Sequence, residues 1–526
     1  MNLTLLKTTV VSRYRDWLSP YIGLYILLSI MINLAFGYPF SGFYTVAFTA
    51  LLWLLAEILP KTQKILLGLS ALIAGFYYPF GQVYGPPNFN TLLALHATNR
   101  EEASEALMIF PLHAYAIGLA IIAAGVLALT RKSPSRQPWG HRHSACLAFV
   151  VIAWLTQPVL NQMTGGVFNP KDSGYPLVRF VKDTIESKLS VDNELTRMNQ
   201  LTTQKDDWHI LSVKPKRQIY VVVIGESARR DALGAFGGHW DNTPFTSQLK
   251  GQFFSHYTSA ASSTQKSLGL TLNQVINGQP QYQNSIITLA NRAGFDTWWL
   301  SNQGQIGQYD TVISSIAHRA KNVHFLKQGD FEADKNAQDE DLLGFTAAAL
   351  ARPVDAPRLL IFHLMGSHPK ACDRTHGRIV EHVHSNETSC YLYSMTQTDG
   401  FLHQLWQQLH GSGLSFSMIY FSDHGLAFKE KGTPNEYLTH DDKYQQNFEV
   451  PMFITSSDDN RHQVFDQPRS ANDFLLLFSQ WTGIKAKEIN PGYQFVSDDN
   501  GPEIEVTNFA LHRLPFSQLQ QDPFSP

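Results

Sequence analysis

The chain of 526 residues carries almost no net charge and very little cysteine. Its 41 Lys and Arg nearly balance its 44 Asp and Glu, leaving a net charge of -3. No electrostatic argument for a nucleic-acid partner follows from that balance. No internal repeat or low-complexity tract interrupts the chain. The amino terminus does not read as a cleavable leader. Its apolar stretch is too long, it lacks a small-residue cleavage pattern, and further apolar stretches follow it. Of 3 cysteines, Cys146 falls in an apolar segment, and Cys372 and Cys390 fall close together in the polar half. A local pair of this kind points to one disulfide and an oxidising compartment, with two free thiols as the alternative.

What is present divides the chain in two. Apolar segments recur through the first 160 residues, at about Pro20–Gly37, Ser41–Leu59, Ile65–Tyr84, Pro111–Leu129 and Ala145–Leu160. Each is near the length that crosses a bilayer, and the 12% aromatic content fits interfacial belts. Lys7, Arg13 and Arg15 precede the first segment. Lys61 and Lys64 separate the second from the third, and Arg131, Lys132, Arg136 and Arg142 separate the fourth from the fifth. The positive residues therefore mark one side, expected to be cytoplasmic together with the amino terminus. An odd number of spans puts everything after Leu160 on the outer side of the inner membrane. The connection near residues 85–110, GPPNFNTLLALHATNREEASEALMIF, mixes Leu92, Leu93, Leu95 and Leu107 with Glu101, Glu102 and Glu105. It reads as a short amphipathic segment on the outer leaflet, or as a plain connector. Residues 161–215 are polar and helix-friendly; VRFVKDTIESKL and NELTRMNQL are expected as bridging helices.

From residue 216 to 526, short apolar runs alternate with helical stretches, which predicts an α/β domain with a mainly parallel sheet. Three runs end in ligand chemistry. Ile219–Ile224 breaks at Gly225 and delivers Glu226; Arg358–Phe362 is followed by His363 and His368; Phe416–Phe421 is followed by Asp423 and His424. Parallel strands align their carboxyl ends along one edge, so these groups can share a site. Carboxylate oxygens with imidazole nitrogens suit zinc better than manganese. Taken singly, Glu226 is equally a helix cap beside Ser227, and an Asp-His pair is more often structural. Ser262, Ser263 and Thr264 precede a helical pattern that starts near Ser267, so any of them places a hydroxyl where an anion binds. Local reading does not choose among the three. His440 follows Asp423 and His424 as a further ligand or as a surface histidine.

Gly225-Glu226-Ser227-Ala228-Arg229, Thr264 with Ser267, Gly366-Ser367-His368 and Ser422-Asp423-His424-Gly425 together resemble the bacterial phosphoethanolamine transferases. These are membrane-anchored members of the alkaline phosphatase superfamily. The likeness covers nearly the whole chain. It implies an α-helical transmembrane domain of about five helices (1–160), the bridge (161–215), and a periplasmic sulfatase-like α/β/α sandwich (216–526). GESARRDALGAFGGHWDNTPF and SSTQKSLGLTLN are most similar to members that decorate osmoregulated periplasmic glucans. By resemblance, Glu226, Thr264, Asp423 and His424 are zinc ligands, with one or two zinc ions expected, and Thr264 is also the nucleophile. His368 and His440 hold the phosphoryl group or a second zinc. Glu102, in Thr98–Ala103, matches an acidic residue of the donor-lipid contact region, and Ala94 stands where the family has asparagine. A family disulfide has no counterpart at Ala260 and Leu270, whereas Cys390 with Cys372 matches another.

The resemblance thus implies transfer of phosphoethanolamine from phosphatidylethanolamine to glucan hydroxyls by a monomer in the inner membrane. Three rival expectations stand beside it: the same transfer to lipid A or lipopolysaccharide core, a periplasmic phosphodiesterase or sulfatase-like hydrolase, and a non-catalytic glycan binder. Cys146, Cys372 and Cys390 all lack the Cys-x-Pro-x-Arg context of a sulfatase nucleophile.

Overall fold

Long apolar runs without charge give helices in the first part of the chain. The structure is a computed structural model describing residues 20–97, 107, 110–130, 138–164, 166–304, 312–327 and 337–524. It divides into two compact units: residues 1–92 with 106–191, and residues 93–105 with 192–526. In chain order the first helices are α1 (Pro20–Ala35), α2 (Gly42–Ile58), α3 (Pro60–Tyr84), α4 (Phe89–Ala97), within which the division at Leu92 falls, α5 (Leu112–Thr130) and α6 (His141–Met163). Among the described residues, α3, α5 and α6 are long and apolar enough to cross a membrane, at 25, 19 and 23 residues. Helices α1 and α2 have 16 and 17 residues, which span about 25 Å against a hydrocarbon core of about 30 Å.

Small residues let α3 and α5 approach closely. A Cβ on Gly75 would lie 2.6 Å from the Gly118 carbonyl oxygen, and one on Gly118 would lie 2.4 Å from that of Gly75. Close backbone approach of this kind is how helices gain packing where lipid removes the hydrophobic drive. Glu57 of α2 and His143 of α6 are both buried and meet at 2.7 Å. The His143 ring is stacked against Trp53 and Trp139. The pair ties α2 to α6 with each charge-bearing group partnered, as a low-dielectric setting demands.

The polar stretch that follows forms one helix, α7 (Pro176–Thr203), of 28 residues, where two were expected. The reason lies in Ser190-Val191-Asp192, between the two predicted segments: it contains neither glycine nor proline, so nothing ends the helix there.

In the second unit, β-branched runs build the main sheet, which has eight strands among the described residues. They are β1 (Ile219–Gly225), β2 (Gly251–Phe254), β3 (Asp296–Gly304), β4 (Asn322–Lys327), β5 (Arg358–His363), β6 (Phe416–Ser422), β7 (Met452–Ser456) and β8 (His462–Phe465). Their order is β8-β2-β7-β6-β1-β5-β3-β4. Strand β7 is antiparallel to β6 and β2, and the other pairings are parallel. Every residue of β1, β5 and β6 is buried. The pleat divides β1 between two cores. Tyr220, Val222 and Ile224 pack in one core with Leu268 of α8 (Thr264–Thr271) and with Leu289 and Leu477. Ile219, Val221 and Val223 pack in the other with Phe401, Leu405 and Leu409 of α9 (Asn386–Gly411). Helices therefore cover both faces, which explains why these strands lack polar alternation.

The register positions the site. Gly225 pairs with Ser422, and Ile224 pairs with His363. Glu226 and Asp423 thus leave neighbouring strands at the same level of the sheet. Cys372 and Cys390 form a disulfide that fastens the segment after β5 to α9. It closes a sequence separation of 18 residues, for which chain entropy gives about 3 kcal/mol of stabilisation. Cys390→Ser is expected to destabilise the soluble unit by about 2–4 kcal/mol. The fall in thermal unfolding midpoint measures it, and wild-type protein held in reductant should match the variant.

Candidate active site

Glu226 follows β1 directly, and the next residue turns the chain sharply. Ser227 has φ 59, the left-handed region, which a residue with a side chain adopts only when surroundings hold it. The surroundings here are specific. The Ser227 N–H donates to Asp423 Oδ1 at 3.0 Å, and the Tyr391 hydroxyl donates to the Ser227 carbonyl at 2.8 Å. The Asp423 N–H donates to the Gly225 carbonyl at 3.0 Å. The ends of β1 and β6 are thus laced together by backbone bonds. Gly425 allows the second turn to pass Gln446: a Cβ there would lie 2.2 Å from the Gln446 carbonyl oxygen.

Four side chains converge beyond these turns. Thr264, the first residue of α8, donates its hydroxyl to Glu226 Oε2 at 3.1 Å and lies 3.2 Å from His424 Nε2. His424 Nδ1 donates to the Gly425 carbonyl at 2.8 Å, which turns Nε2 toward the carboxylates. Nε2 is 3.4 Å from both Glu226 Oε1 and Asp423 Oδ2. Ser263 takes the N-cap position of α8 without a side-chain capping bond, and the buried Ser262 hydroxyl has no hydrogen-bond partner among the described residues. Of the three candidate hydroxyls, the structure brings only Thr264 to the carboxylates. Ser267, one turn along α8, donates to the Asp423 carbonyl at 2.6 Å and fixes the helix against this strand end.

His440 joins the group. Its ring centroid is 4.8 Å from that of His424 and 6.2 Å from that of His368. Glu226, His424 and His440 offer ligand atoms all within 4.8 Å of one another. Glu102 and its neighbours Thr98–Ala103 lie outside the described residues, while Ala94 lies within α4.

The electrostatics are those of a site built around positive charge. Burial opposes ionisation of Glu226, but the His424 imidazolium holds its carboxyl below the ordinary range. Burial and the Glu226 charge push Asp423 upward. Burial works against charge on His424, yet Asp423 and Glu226 together raise it above its ordinary value. Burial pulls His368 down to about 4 and also lowers His440. In this geometry His424 Nε2 faces both buried carboxylates. Asp423 Oδ2 is still left without a hydrogen bond among the described residues. A buried carboxylate oxygen without a donor is costly, and a divalent cation relieves that cost. Two carboxylates, an imidazole nitrogen and a hydroxyl oxygen form a donor set that fits a metal of the zinc type.

Several supporting residues escaped sequence reading. Gln303 at the end of β3 donates to Glu226 Oε2 at 3.3 Å and to the Leu364 carbonyl at 2.8 Å. Asp339 accepts the N–H groups of Met365 and Gly366 at 2.8 and 3.0 Å, shaping the turn that leads to His368. The available signal for Gln303 was its place after the apolar run Trp298-Trp299-Leu300, another strand end on the same edge. His363, at the end of β5, is buried with neither ring nitrogen hydrogen-bonded among the described residues.

Arg229 braces the turn from behind. It is fully buried, donates to both oxygens of Asp231 at 2.9 and 2.7 Å and to the Leu426 carbonyl at 3.1 Å, and lies against Phe428 and Phe524. The segment after Glu226 is thereby tied to the segment after His424 and to the carboxyl-terminal tail.

This arrangement, at the carboxyl edge of a mainly parallel sheet, is of sulfatase type. Residues 218–484 match the sulfatase family model. Over its full length the chain is 58% identical to phosphoethanolamine transferase OpgE of Escherichia coli strain K12, covering 100% of both proteins. The chain belongs to the phosphoethanolamine transferase family and is a membrane-associated enzyme of that class. The integral membrane lipooligosaccharide phosphoethanolamine transferase A (EptA) of Neisseria meningitidis superposes with a TM-score of 0.59 at 16% identity, over 89% of this chain and 97% of that one. The C-terminal periplasmic domain of EptC from Escherichia coli, in complex with Zn, superposes with a TM-score of 0.52 at 18% identity, over 60% of this chain and 96% of that domain.

The Arg229 brace makes stability depend on pH with a defined sign. Burial raises the Asp231 carboxyl, but the adjacent Arg229 guanidinium and the Phe524 N–H outweigh it and hold it below the usual carboxylate range. A depressed folded-state pKa gives stability that is full above the unfolded value of about 3.9 and is lost as pH falls through the folded value. Wild type should therefore exceed Asp231→Asn in urea midpoint at pH 6, with the difference closing as the pH approaches 3.

Proposed function

We propose that the chain transfers phosphoethanolamine from phosphatidylethanolamine to sugar hydroxyls of osmoregulated periplasmic glucans, through a phosphoethanolamine–threonine intermediate on Thr264. The observation that carries this reading is the Thr264 hydroxyl at the start of α8, 3.1 Å from Glu226 Oε2 and 3.2 Å from His424 Nε2. The resemblance of the GESARRDALGAFGGHWDNTPF and SSTQKSLGLTLN segments to glucan-decorating members supports the acceptor. Five spans, a cytoplasmic amino terminus and a periplasmic catalytic unit complete the reading, with the chain acting as a monomer. The donor lipid enters by way of the segment that contains Glu102.

The residues that would hold zinc are Glu226, Thr264, Asp423 and His424. Bound there, zinc lowers the pKa of the threonine hydroxyl and offsets negative charge on the transferred phosphoryl oxygens. A related domain whose crystal structure was determined in complex with Zn supports the choice of metal. Thr264 Oγ1 attacks phosphorus, the bond from phosphorus to the glycerol oxygen breaks, and the threonine's proton leaves with diacylglycerol. Ring N–H groups of His368 and His440, whose ring centroids lie 6.2 Å apart, hold the phosphoryl oxygens in place. A glucan hydroxyl then attacks phosphorus, the bond to Oγ1 breaks, and the acceptor's proton returns to Thr264. Two displacements at one phosphorus make the kinetics ping-pong.

Thr264→Ala is expected to lower transfer by at least about 10³-fold with the fold intact. Mass spectrometry of wild type incubated with donor lipid should find the adduct on Thr264. Full activity in Thr264→Ala, or an adduct elsewhere, would show the assignment to be wrong. Chelation should remove activity and zinc together, with zinc restoring both. Asp423→Asn should purify with less than about a tenth of wild-type zinc by elemental analysis. Phosphoethanolamine should appear on purified glucans, and not on lipopolysaccharide, when the gene is present.

A further inference from the structure

The second unit carries a cleft at the edge of the sheet opposite Thr264. Its volume is about 630 Å³, and it lies between the carboxyl-terminal half of α9, the segment Pro244–Gln248 and the end of β7. Phe416 opens β6 beside this cleft, where its carbonyl accepts the Ser457 N–H at 3.0 Å. Asp423 follows the other end of the same strand. Seven residues of strand separate the two places, or about 23 Å.

The walls are aromatic and polar by turns. Trp406 is half-buried, with Phe245 at 6.1 Å and His410 at 4.8 Å between ring centroids, and His403 stacks on Phe245 at 4.7 Å. Around these rings stand polar groups. Trp406, Gln248 and Asp459 line the cleft, and the buried Thr396 hydroxyl has no hydrogen-bond partner among the described residues. Asp399 is not free, because its carboxylate accepts the N–H groups of Phe245 and Thr246.

This chemistry selects its ligand. Ring faces carry negative π charge and attract C–H bonds of slight positive charge. An amide, a carboxylate oxygen, a hydroxyl and an indole N–H offer both donors and acceptors. A sugar ring presents C–H bonds on its faces and hydroxyls around its rim. A lipid chain would strip water from those polar groups without replacing its hydrogen bonds. An anionic ligand would meet two carboxylates against the single ammonium of Lys250. The volume lies in the range of small-ligand sites. We propose that this cleft binds a segment of neutral glucose chain, retaining a polymeric acceptor while another of its sugars reaches Thr264. The proposal deepens the glucan reading and rests on it for the identity of the polymer. Only an acceptor long enough to reach over the surface from one end of the sheet to the other gains from both places. Retention then acts by raising the local concentration of acceptor hydroxyls rather than by changing the chemistry.

The test uses the full chain in detergent. A linear β-linked glucose tetrasaccharide is titrated against wild type, Trp406→Ala and the surface variant Gln248→Ala/His403→Ala, with binding followed by calorimetry. Wild type should bind, and both variants should bind at least about fivefold more weakly. With purified glucan as acceptor, KM should rise about five- to tenfold in both variants. kcat, and KM for a simple glucoside acceptor, should stay at wild-type values. A wild type that does not bind the tetrasaccharide overturns the proposal, as does a surface variant with wild-type binding and wild-type KM for glucan. If wild type binds the tetrasaccharide through these residues and transfers nothing to glucan, the acceptor reading fails while the carbohydrate site stands.

Discussion

Two carboxylates are forced into one buried place by the pairing of β1 with β6. Gly225 and Ser422 are partners in register, so Glu226 and Asp423 must emerge together. Both are almost completely shielded from water, at 1% exposure each. Like charges in such a setting repel strongly, and the structure answers with everything it can direct at them. The Ser227 N–H and hydroxyl, the His424 imidazole, the Thr264 hydroxyl and the Gln303 amide all face the pair. Much of the surrounding architecture can be read as a consequence. It accounts for the left-handed Ser227, for glycine at 425, and for the buried Arg229 clamp behind the turn. The same repulsion makes a cation the natural occupant.

The parts visible in the sequence are those whose physics is local. A strand buried on both faces must be apolar without interruption, so the runs ending at Glu226, His363 and Asp423 were evident. Polar groups at such ends cannot be filler, because each must be partnered. Choosing among Ser262, Ser263 and Thr264 was beyond local reading. All three suit a helix start, and the difference is one of phase: Ser263 takes the cap position and Thr264 begins the helix, within reach of Glu226. Gln303 and Asp339 were missed because an uncharged amide, or an acid in a polar stretch, carries no signature until the strand order sets it beside Glu226 or Met365. The sheet order itself, with the reversed β7 between β6 and β2, depends on contacts far apart in sequence. Helix α7 was divided in two because its two periodic segments were read separately, although no breaking residue lies between them.

The two units solve the problem of buried polar groups differently. In the helical unit, Glu57 and His143 satisfy one another and are enclosed by Trp53 and Trp139, leaving a closed pair. In the sheet unit, Asp423 Oδ2 is left open beside His424, and Thr264 points at the same place. The first arrangement holds helices together. The second leaves valence for something to enter, which separates a structural cluster from a reactive one even when the residue types coincide.

The separation between the halves of the site also governs how the protein is made. In sequence, Ser227 and its partner Asp423 are 196 positions apart. A chain emerging from the ribosome displays the β1 edge long before β6 exists to cover it, a hazard of sheets with distant pairings. During that interval Glu226 is a solitary carboxylate that cannot trap an ion strongly. Closure of the central sheet and the meeting of Glu226 with Asp423 are therefore one late event, and a chain cut short before Phe416 would have neither.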